Sequence, residues 1–379
     1  MKLLYILNQR LPIEKAYGLQ VAKMSEAFAD RGLEVELVIP TRRDPIKQDF
    51  FSFYSIKRNF KFKKLFSPDF YFPGKLDRVA VAIKSFISAL VLIFYSFFKK
   101  VDLIYSRDEL PLYFLSFSKK NLVFEAHRFS KKRALFYQRF KKQNLRVVTV
   151  SQGLKDDFVR FGFKSQGVLV AHDGVDLEEF NIDLNKDEAR LELNLPLDKK
   201  LIGYVGQLRT MGMEKGINLA IKSLKSLPGN VILVLVGGDK KLIDIYKELS
   251  RKDNLEGRIF FVGQVGHKLI PVYLKSFDVL LMPFPKTHHY VFYMSPLKLF
   301  EYMASQRPIV ATDLTSVREI LSQENSVLVK SDDSEAFAQG VKKILDDSQM
   351  ADRISERAFE DVKNYTWQKR AEKILDFIK

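Results

Sequence analysis

Apolar runs of strand length alternate with helix-length amphipathic segments along almost the whole chain. "KLLYILN" precedes a helical pattern from about Leu19 to Arg31, and "VELVIP" follows it. "VDLIYS", "NLVFEA" and "RVVTVS" come next, the last leading into a helix from Gln152. After Asp173 the alternation restarts with "LIGYVG", a helix from Lys215, "VILVLVGG", "RIFFVG", "VLLMP" and "PIVATD". Strands alternating with helices predict βαβ units and parallel sheets. Two such series, parted by a polar stretch near 173–198, predict an α/β protein of two doubly wound domains. The last stretch, from Asp347 onward, reads as purely helical. Ligands of such sheets bind beyond the carboxyl ends of the strands, so the cleft between two facing domains is the expected site.

One segment stands out within this pattern. In "MSPLKLFEYMASQRPIVATD", residues 294–313, Ser295 reads as a helix N-cap and Pro296 as the first helical turn. Phe300 and Met303 suit a core face, yet Glu301 stands beside them. A helix start offers unpaired N–H groups and partial positive charge, which suits phosphate. A carboxylate farther along the helix suits hydroxyl groups.

Composition narrows the chemistry. With 379 residues and 46% hydrophobic content, the chain can bury sizeable cores. It has no cysteine, which excludes disulfides and thiolate metal sites and fits a reducing compartment. None of its five histidines makes a pair at zinc-binding helical spacing, and no Asp-x-Asp pair occurs, so no metal site is expected. The N-terminal apolar run is too short for a signal peptide core. The longest uncharged apolar stretch, Ser85 to Phe98, has 14 residues against the roughly 20 needed to span a bilayer, and reads as a buried or interfacial helix. Residues 1–172 hold 32 Lys and Arg against 15 Asp and Glu, a net +17, whereas residues 173–379 are nearly neutral. A basic half beside a neutral half points to an anionic partner: a membrane, a phosphorylated substrate or a nucleic acid.

Taken together, "LIGYVGQLRTMGMEKGI", "VILVLVGG", "RIFFVGQV" and "SPLKLFEYMASQRPIVATD" resemble the C-terminal half of the family 4 retaining glycosyltransferases, which have the GT-B fold. "KAYGLQVAKMSEAFADRGLEVELV" looks like that family's first strand–loop–helix unit, and "VTVSQGLKDDFVRFGF" and "VAHDGVDLEEF" like its approach to the interdomain linker. "YTWQKRAEKIL" resembles its last helix, which crosses back to the first domain. The resemblance covers nearly the whole chain and is weakest between about 50 and 100. It implies two Rossmann-like domains facing a central cleft: 1–172 on the acceptor side, 173–198 as linker and start of the second domain, 199–360 binding the nucleotide sugar, and 361–379 as the crossover helix.

What the resemblance implies for the site can be set out residue by residue. Ser295, Pro296 and the following amides would face a pyrophosphate, and Glu301 would accept from ribose hydroxyls. Lys215 matches a family lysine that clamps the diphosphate. Gln207 stands where the family has arginine, and Arg209, two residues on, is the replacement expected. Lys298 either adds charge near the phosphates or is a surface lysine. His127 follows a strand end, where the family's histidine reaches the donor sugar; a lone histidine there is by itself more often structural. Gly18 lies where family glycines let backbone approach the donor phosphate or acceptor, although turn chemistry explains one glycine equally well. The family's E-x7-E pattern is broken: Tyr293 stands at the first glutamate position, so sugar recognition is altered. His288 and His289 read as an aromatic loop before the phosphate helix.

The expected activity is metal-independent, retaining transfer of a hexose-type sugar from a UDP- or GDP-sugar, with the leaving phosphate assisting deprotonation on the same face. The expected acceptor is a glycan or lipid-linked molecule. Two stretches of the basic half, "KRNFKFKKLF" (57–66) and "HRFSKKRALFYQRFKKQ" (127–143), interleave cations with aromatics as an interfacial segment would. They favour an anionic membrane surface as partner and a cytoplasmic chain, peripheral on the cytoplasmic membrane face. No nucleic-acid-binding signature supports the nucleic acid alternative. The rival readings are a nucleotide-sugar epimerase, which needs no acceptor, and a non-catalytic scaffold subunit, which the Tyr293 and Gln207 departures favour.

Overall fold

A computed structural model describes residues 1–72, 74, 77–118, 120–210 and 212–379, and divides into two compact units. Unit 1 comprises Met1–Asp173 and Trp367–Lys379, and unit 2 comprises Gly174–Thr366.

Unit 1 is built on seven strands: β1 (Lys2–Ile6), β2 (Glu34–Pro40), β3 (Lys61–Leu65), β4 (Leu103–Ser106), β5 (Leu122–Ala126), β6 (Arg146–Thr149) and β7 (Val168–Val170). They form one parallel sheet in the order β3-β2-β1-β4-β5-β6-β7. The central strands are buried throughout, as expected where helices cover both faces of a parallel sheet. Leu4, Ile6, Ile104, Phe124 and Val147 form one apolar cluster with Tyr137, Phe140 and Phe158 from the helices Ala134–Lys142 and Gln152–Arg160.

Unit 2 has β8 (Lys200–Val205), a small antiparallel hairpin of β9 (Arg209–Thr210) and β10 (Met213–Glu214), then β11 (Val231–Val236), β12 (Ile259–Gly263), β13 (Val279–Met282), β14 (Ile309–Thr312) and β15 (Val327–Val329). The parallel sheet order is β12-β11-β8-β13-β14-β15. Alternation along β8 sends Leu201 and Val205 to one core, with Phe300 and Met303, and Ile202 and Tyr204 to another, with Ile217 and Phe337. In both units the order reverses next to the first strand, the switch point at which doubly wound sheets hold ligands.

Three details differ from the sequence expectation. "KRNFKFKKLF" contains β3, an edge strand: Phe60 is buried, Phe62 stacks on Phe50 at 4.0 Å, and Lys61, Lys63 and Lys64 are exposed. Exposed lysines on an edge strand discourage pairing with other chains, which explains part of that charge without a membrane. In "HRFSKKRALFYQRFKKQ", Tyr137 and Phe140 belong to the core rather than to an interface. The apolar helix is longer than the uncharged stretch: it runs Asp77–Phe98, 22 residues, because Lys84 is turned inward to Asp69 at 3.2 Å and does not interrupt it. By length and composition alone it could cross a membrane. The C-terminal region is helical as read from the sequence, in two helices, Ser348–Val362 and Trp367–Ile378, the second of which packs on Ala16–Asp30 in unit 1.

Candidate functional site

The carboxyl end of β8 in unit 2 is where charge gathers. The chain leaves β8 through Gly206, makes the β9–β10 hairpin and delivers Lys215 to Gly216. Gly216 has φ +83°, and a Cβ on it would come within 1.6 Å of the Pro283 carbonyl oxygen, just past β13. Only glycine allows that approach, so Lys215 is held between the hairpin and the end of β13. The helix expected from Lys215 begins at Ile217, with Gly216 as its cap residue.

Lys298 arrives from the other side, on the helix Leu297–Ala304. One turn later, Tyr302 pins that helix to β8: Val205 N–H donates to its hydroxyl at 2.8 Å. The Lys298 ammonium lies 3.5 Å from the centre of the Tyr204 ring and against Gly206, whose missing Cβ would stand 2.9 Å from Nζ. Lys298 is only 8% exposed and its Nζ has no hydrogen-bond partner among the described residues. Burial pushes its pKa well below the usual lysine value, and the charge of Lys215 adds to the effect. Burial also lowers Lys215, to about 8. His289 is lowered by burial and by Lys215. A buried ammonium such as that of Lys298 is costly unless an anion completes it, and the half-buried Lys215 stands beside it. Lys298 is thus no surface lysine.

Glu301 is half-buried on the same helix and has no hydrogen-bond partner among the described residues. Burial raises its pKa, opposed by His267 and Lys298 and reinforced by Glu179. His267 is itself tied to Glu179, Nδ1 to Oε1 at 2.7 Å. A carboxylate with open acceptor positions beside a cationic pocket suits the hydroxyls of a ligand whose phosphates the lysines hold.

Three expected residues sit differently. Ser295 is not the N-cap: the helix starts at Leu297, and Pro296 holds the cap position in extended backbone, φ −80° and ψ 129°, with no side-chain cap. A residue before proline is pushed out of helical conformation, which moves Ser295 outside the helix. Arg209 is exposed on β9, and its guanidinium interacts with the Tyr246 hydroxyl. The segment "HHYVF" is a short helix, His288–Phe292, rather than a loop, and Tyr293 ends it with its ring edge-on to His288 at 5.0 Å.

In unit 1 the ends of β4 and β5 carry a buried polar network that sequence reading found only through His127. Glu125, within β5, is completely buried and accepts from Gln20 at 2.5 Å, from Arg370 at 3.1 Å and from the Tyr105 hydroxyl. His127 Nε2 lies 2.6 Å from the same carboxylate. Arg107, beyond β4, donates to Gln20 at 2.6 Å. Burial would raise the Glu125 pKa, but Arg370, His127 and Arg107 outweigh it and hold the group ionised. Burial, helped by Arg107, lowers His127 to about 4, so its ring is neutral near pH 7. With Nε2–H given to Glu125, Nδ1 is left as an acceptor. Burial raises Asp108, which accepts from Asn8 N–H at 2.6 Å, to about 6. Beside His127, the glutamate inside the apolar run "LVFEA" is the sequence signal that marks this network and was passed over. Gly18 lies in the first turn of the helix Ala16–Asp30, where a Cβ would meet the Tyr54 hydroxyl at 2.2 Å. That hydroxyl is bonded to Ile13 at 2.8 Å, which gives Gly18 a packing reason. No group of three or more His, Asp or Glu side chains able to hold a metal occurs among the described residues.

Two family models match the chain: Glycosyltransferase Family 4 over residues 18–179, and Glycosyl transferases group 1 over residues 185–361. Among curated proteins, the lipopolysaccharide core biosynthesis mannosyltransferase LpsB of Rhizobium meliloti is 29% identical over 184 residues, 46% of this chain and 49% of that protein. A D-inositol 3-phosphate glycosyltransferase of Xylanimonas cellulosilytica is 26% identical over 231 residues, 58% of this chain and 53% of that one. The chain spans about half the length of the curated relatives it matches. Among solved structures, sucrose-phosphate synthase from Thermosynechococcus elongatus superimposes with a TM-score of 0.76 at 20% identity, covering 99% of this chain and 97% of that one. Anabaena HepE in complex with UDP and glucose gives 0.74 at 18% identity, covering 99% and 98%. Likeness at this identity speaks for the fold alone.

Proposed function

Because the chain belongs with the group 1, family 4-like glycosyltransferases of GT-B fold, we propose that it moves a sugar from a nucleoside-diphosphate sugar to a glycan or lipid-linked acceptor, with retention of anomeric configuration and without a metal. The observation that carries this reading is the buried Lys298, whose Nζ has no hydrogen-bond partner among the described residues, beside the half-buried Lys215 and Glu301, with burial lowering both lysines. In the proposal the lysines and the amides opening the helix Leu297–Ala304 hold the diphosphate, and Glu301 accepts from the ribose. A leaving diphosphate concentrates negative charge, and cations in a water-poor pocket stabilise it where no metal does. Arg209 becomes a secondary contact, since Lys298 supplies the second cation in place of the family arginine that Gln207 replaces. Neutral His127, fixed by Glu125, offers Nδ1 as an acceptor within unit 1. Ser295, Pro296 and Gly18 contribute backbone rather than side-chain chemistry.

The name of one relative, LpsB, refers to lipopolysaccharide core assembly, and that of another, TuaC of Bacillus subtilis, to teichuronic acid. Those names and the basic unit 1 support a polysaccharide acceptor presented at an anionic cytoplasmic membrane face, where this chain would bind peripherally. The proposal is tested with EDTA-treated protein, UDP-glucose and GDP-mannose as donors and a lipid-linked oligosaccharide extract as acceptor. Release of UDP or GDP that depends on acceptor, with an α-linked product by NMR, is expected. Tight donor binding with no transfer to any acceptor, or a β-linked product, contradicts it. Acceptor-independent conversion of the sugar would instead establish the epimerase reading.

A further inference from the structure

The helix Asp77–Phe98 is built inside out. Its buried side is small or polar: Ala80, Lys84, Ser88, Ala89 and Ser96, with Leu92 the one bulky apolar residue. Its outward side carries Val79, Ile83, Phe86, Leu90, Phe94 and Phe97, spaced i, i+4, i+7, i+11, i+15 and i+18, all exposed. That spacing puts them on one stripe along nearly the whole length of the helix, about 33 Å at 1.5 Å per residue. Phe94 is 69% exposed, Phe98 at the same end 68%, and Phe66, just beyond β3, 84%. A helix on a water-soluble surface shows the opposite arrangement, with its apolar stripe turned to the core. An apolar stripe of this extent marks a contact surface.

Polar bonds fasten the inner side to the unit's own sheet. The Ser67 and Ser88 hydroxyls are 2.8 Å apart, Arg42 also reaches Ser88, Lys84 pairs with Asp69, and Asn8 donates to the Ser85 carbonyl at 2.9 Å. These bonds hold the helix flat against its unit, so it cannot stand across a bilayer while unit 1 stays folded. Charge chooses the occupant. Residues 57–100 contain ten Lys and Arg against two Asp and Glu, and no charge falls between Ser85 and Phe98. Cations therefore border the stripe: Arg78 before it, Lys100 after it and Lys63 on the neighbouring edge strand, with Lys61, Lys64 and Lys99 also there but each paired with a carboxylate, Glu34, Asp44 and Glu36. A second copy would bring two units of the same strong positive charge together, which disfavours self-docking. An anionic bilayer offers acyl chains for the stripe and headgroups for its border.

We infer that the helix Asp77–Phe98 is a membrane-insertion element, lying in the plane of an anionic bilayer with its Val79–Phe97 stripe sunk to the acyl boundary. This deepens, and rests on, the membrane placement proposed above, and it makes apolar insertion rather than adsorption of the basic stretches the dominant attachment. The test is flotation of the full-length protein with vesicles of phosphatidylcholine alone and with 30% phosphatidylglycerol, at 0.1 and 0.5 M NaCl. Two triple variants accompany it: Phe86→Gln/Phe94→Gln/Phe97→Gln and Lys61→Gln/Lys63→Gln/Lys64→Gln, each checked for an unchanged thermal midpoint. The wild type should float with anionic vesicles and stay largely bound at 0.5 M NaCl, where surface charge is screened. The phenylalanine variant should lose on the order of tenfold or more in partitioning at both salts, given the aromatic area withdrawn from insertion. The lysine variant should lose binding mainly at 0.1 M. If the phenylalanine variant floats like wild type and salt releases both, the inserted helix is wrong while membrane placement stands. If the wild type floats with no vesicle, both fall. A wild-type dimer that the phenylalanine variant converts to monomer, without flotation, would assign the stripe to a second copy and also overturn the inference.

Discussion

Lys298 shows how much of this protein's chemistry is decided one side chain at a time. Its ammonium rests on the Tyr204 ring with no hydrogen-bond partner among the described residues, beside a second lysine that burial has already moved to about pKa 8. A bound diphosphate would favour the charged form of both. The sign follows directly: Lys215 is cationic below about pH 8 and neutral above it, so affinity for UDP or GDP should weaken as pH rises from 7 to 9. Calorimetry across that range should also show net proton uptake near pH 8. A Lys215→Arg variant, charged throughout, should flatten the pH dependence; equal loss in both proteins would contradict the assignment. Sequence alone nominated Glu301 and Lys215, because their spacing matched a family pattern. It left Lys298 undecided between phosphate and surface, since nothing in "SPLKLFEYM" says which residues end up against Gly206 and Tyr204. Arg209 was placed by analogy with an arginine that this chain lacks, and the hairpin turned it toward Tyr246.

At the scale of elements, the alternating pattern gave the parallel sheets but not their strand order, and it missed elements too short or too charged to carry it. β7 and β15 have three residues each, and β3 reads "KFKKL" because it is a solvated edge. The one-residue error at the start of the helix Leu297–Ala304 came from weighing Ser295 as a cap without weighing the proline after it. The hairpin and Gly216 are the elements on which the site depends most. Alanine at Gly216 meets both a positive φ and a 1.6 Å approach to a carbonyl oxygen, so backbone must move. Gly216→Ala should weaken nucleotide binding on the order of tenfold or more and lower thermal stability by about 1–3 kcal/mol. Nucleotide titration and thermal unfolding of the variant check this; wild-type values in both would show that Lys215 is not held as described.

Across the whole molecule, the chain leaves unit 1 at Asp173 and re-enters it at Trp367. Val175 N–H bonds to the Tyr365 carbonyl at 2.9 Å, so the two crossing segments run side by side. The final helix brings Arg370 to Glu125 and to the His172 carbonyl, at 3.1 and 2.9 Å. The last residues of the chain thereby neutralise a carboxylate buried in the fifth strand of its first unit, a pairing that no local pattern reveals. Removing one partner of such a pair costs about 3–5 kcal/mol because the other charge is left buried. Arg370→Met should destabilise the protein by that order in urea unfolding, and the Arg370→Met/Glu125→Gln double variant should recover part of it. Additive losses would deny the pairing. The charge asymmetry, legible from the start, belongs to this scale too. The structure shares it between a lysine-lined edge strand and the border of an outward apolar helix, a distinction that composition does not contain.

The central claim is that Lys215, Lys298 and Glu301 form a nucleoside-diphosphate site that works without metal. Isothermal titration of the EDTA-treated protein with UDP and with GDP tests it most directly, beside Lys298→Ala and Glu301→Ala variants. Micromolar binding of one nucleotide is predicted, weakened about 10- to 100-fold by Lys298→Ala, as expected for a charge-assisted hydrogen bond worth about 1.5–3 kcal/mol. Glu301→Ala should weaken the nucleotide by a similar factor and leave inorganic diphosphate unaffected. Binding of neither nucleotide, or equal binding by all three proteins, would contradict the account and favour a scaffold role for this fold.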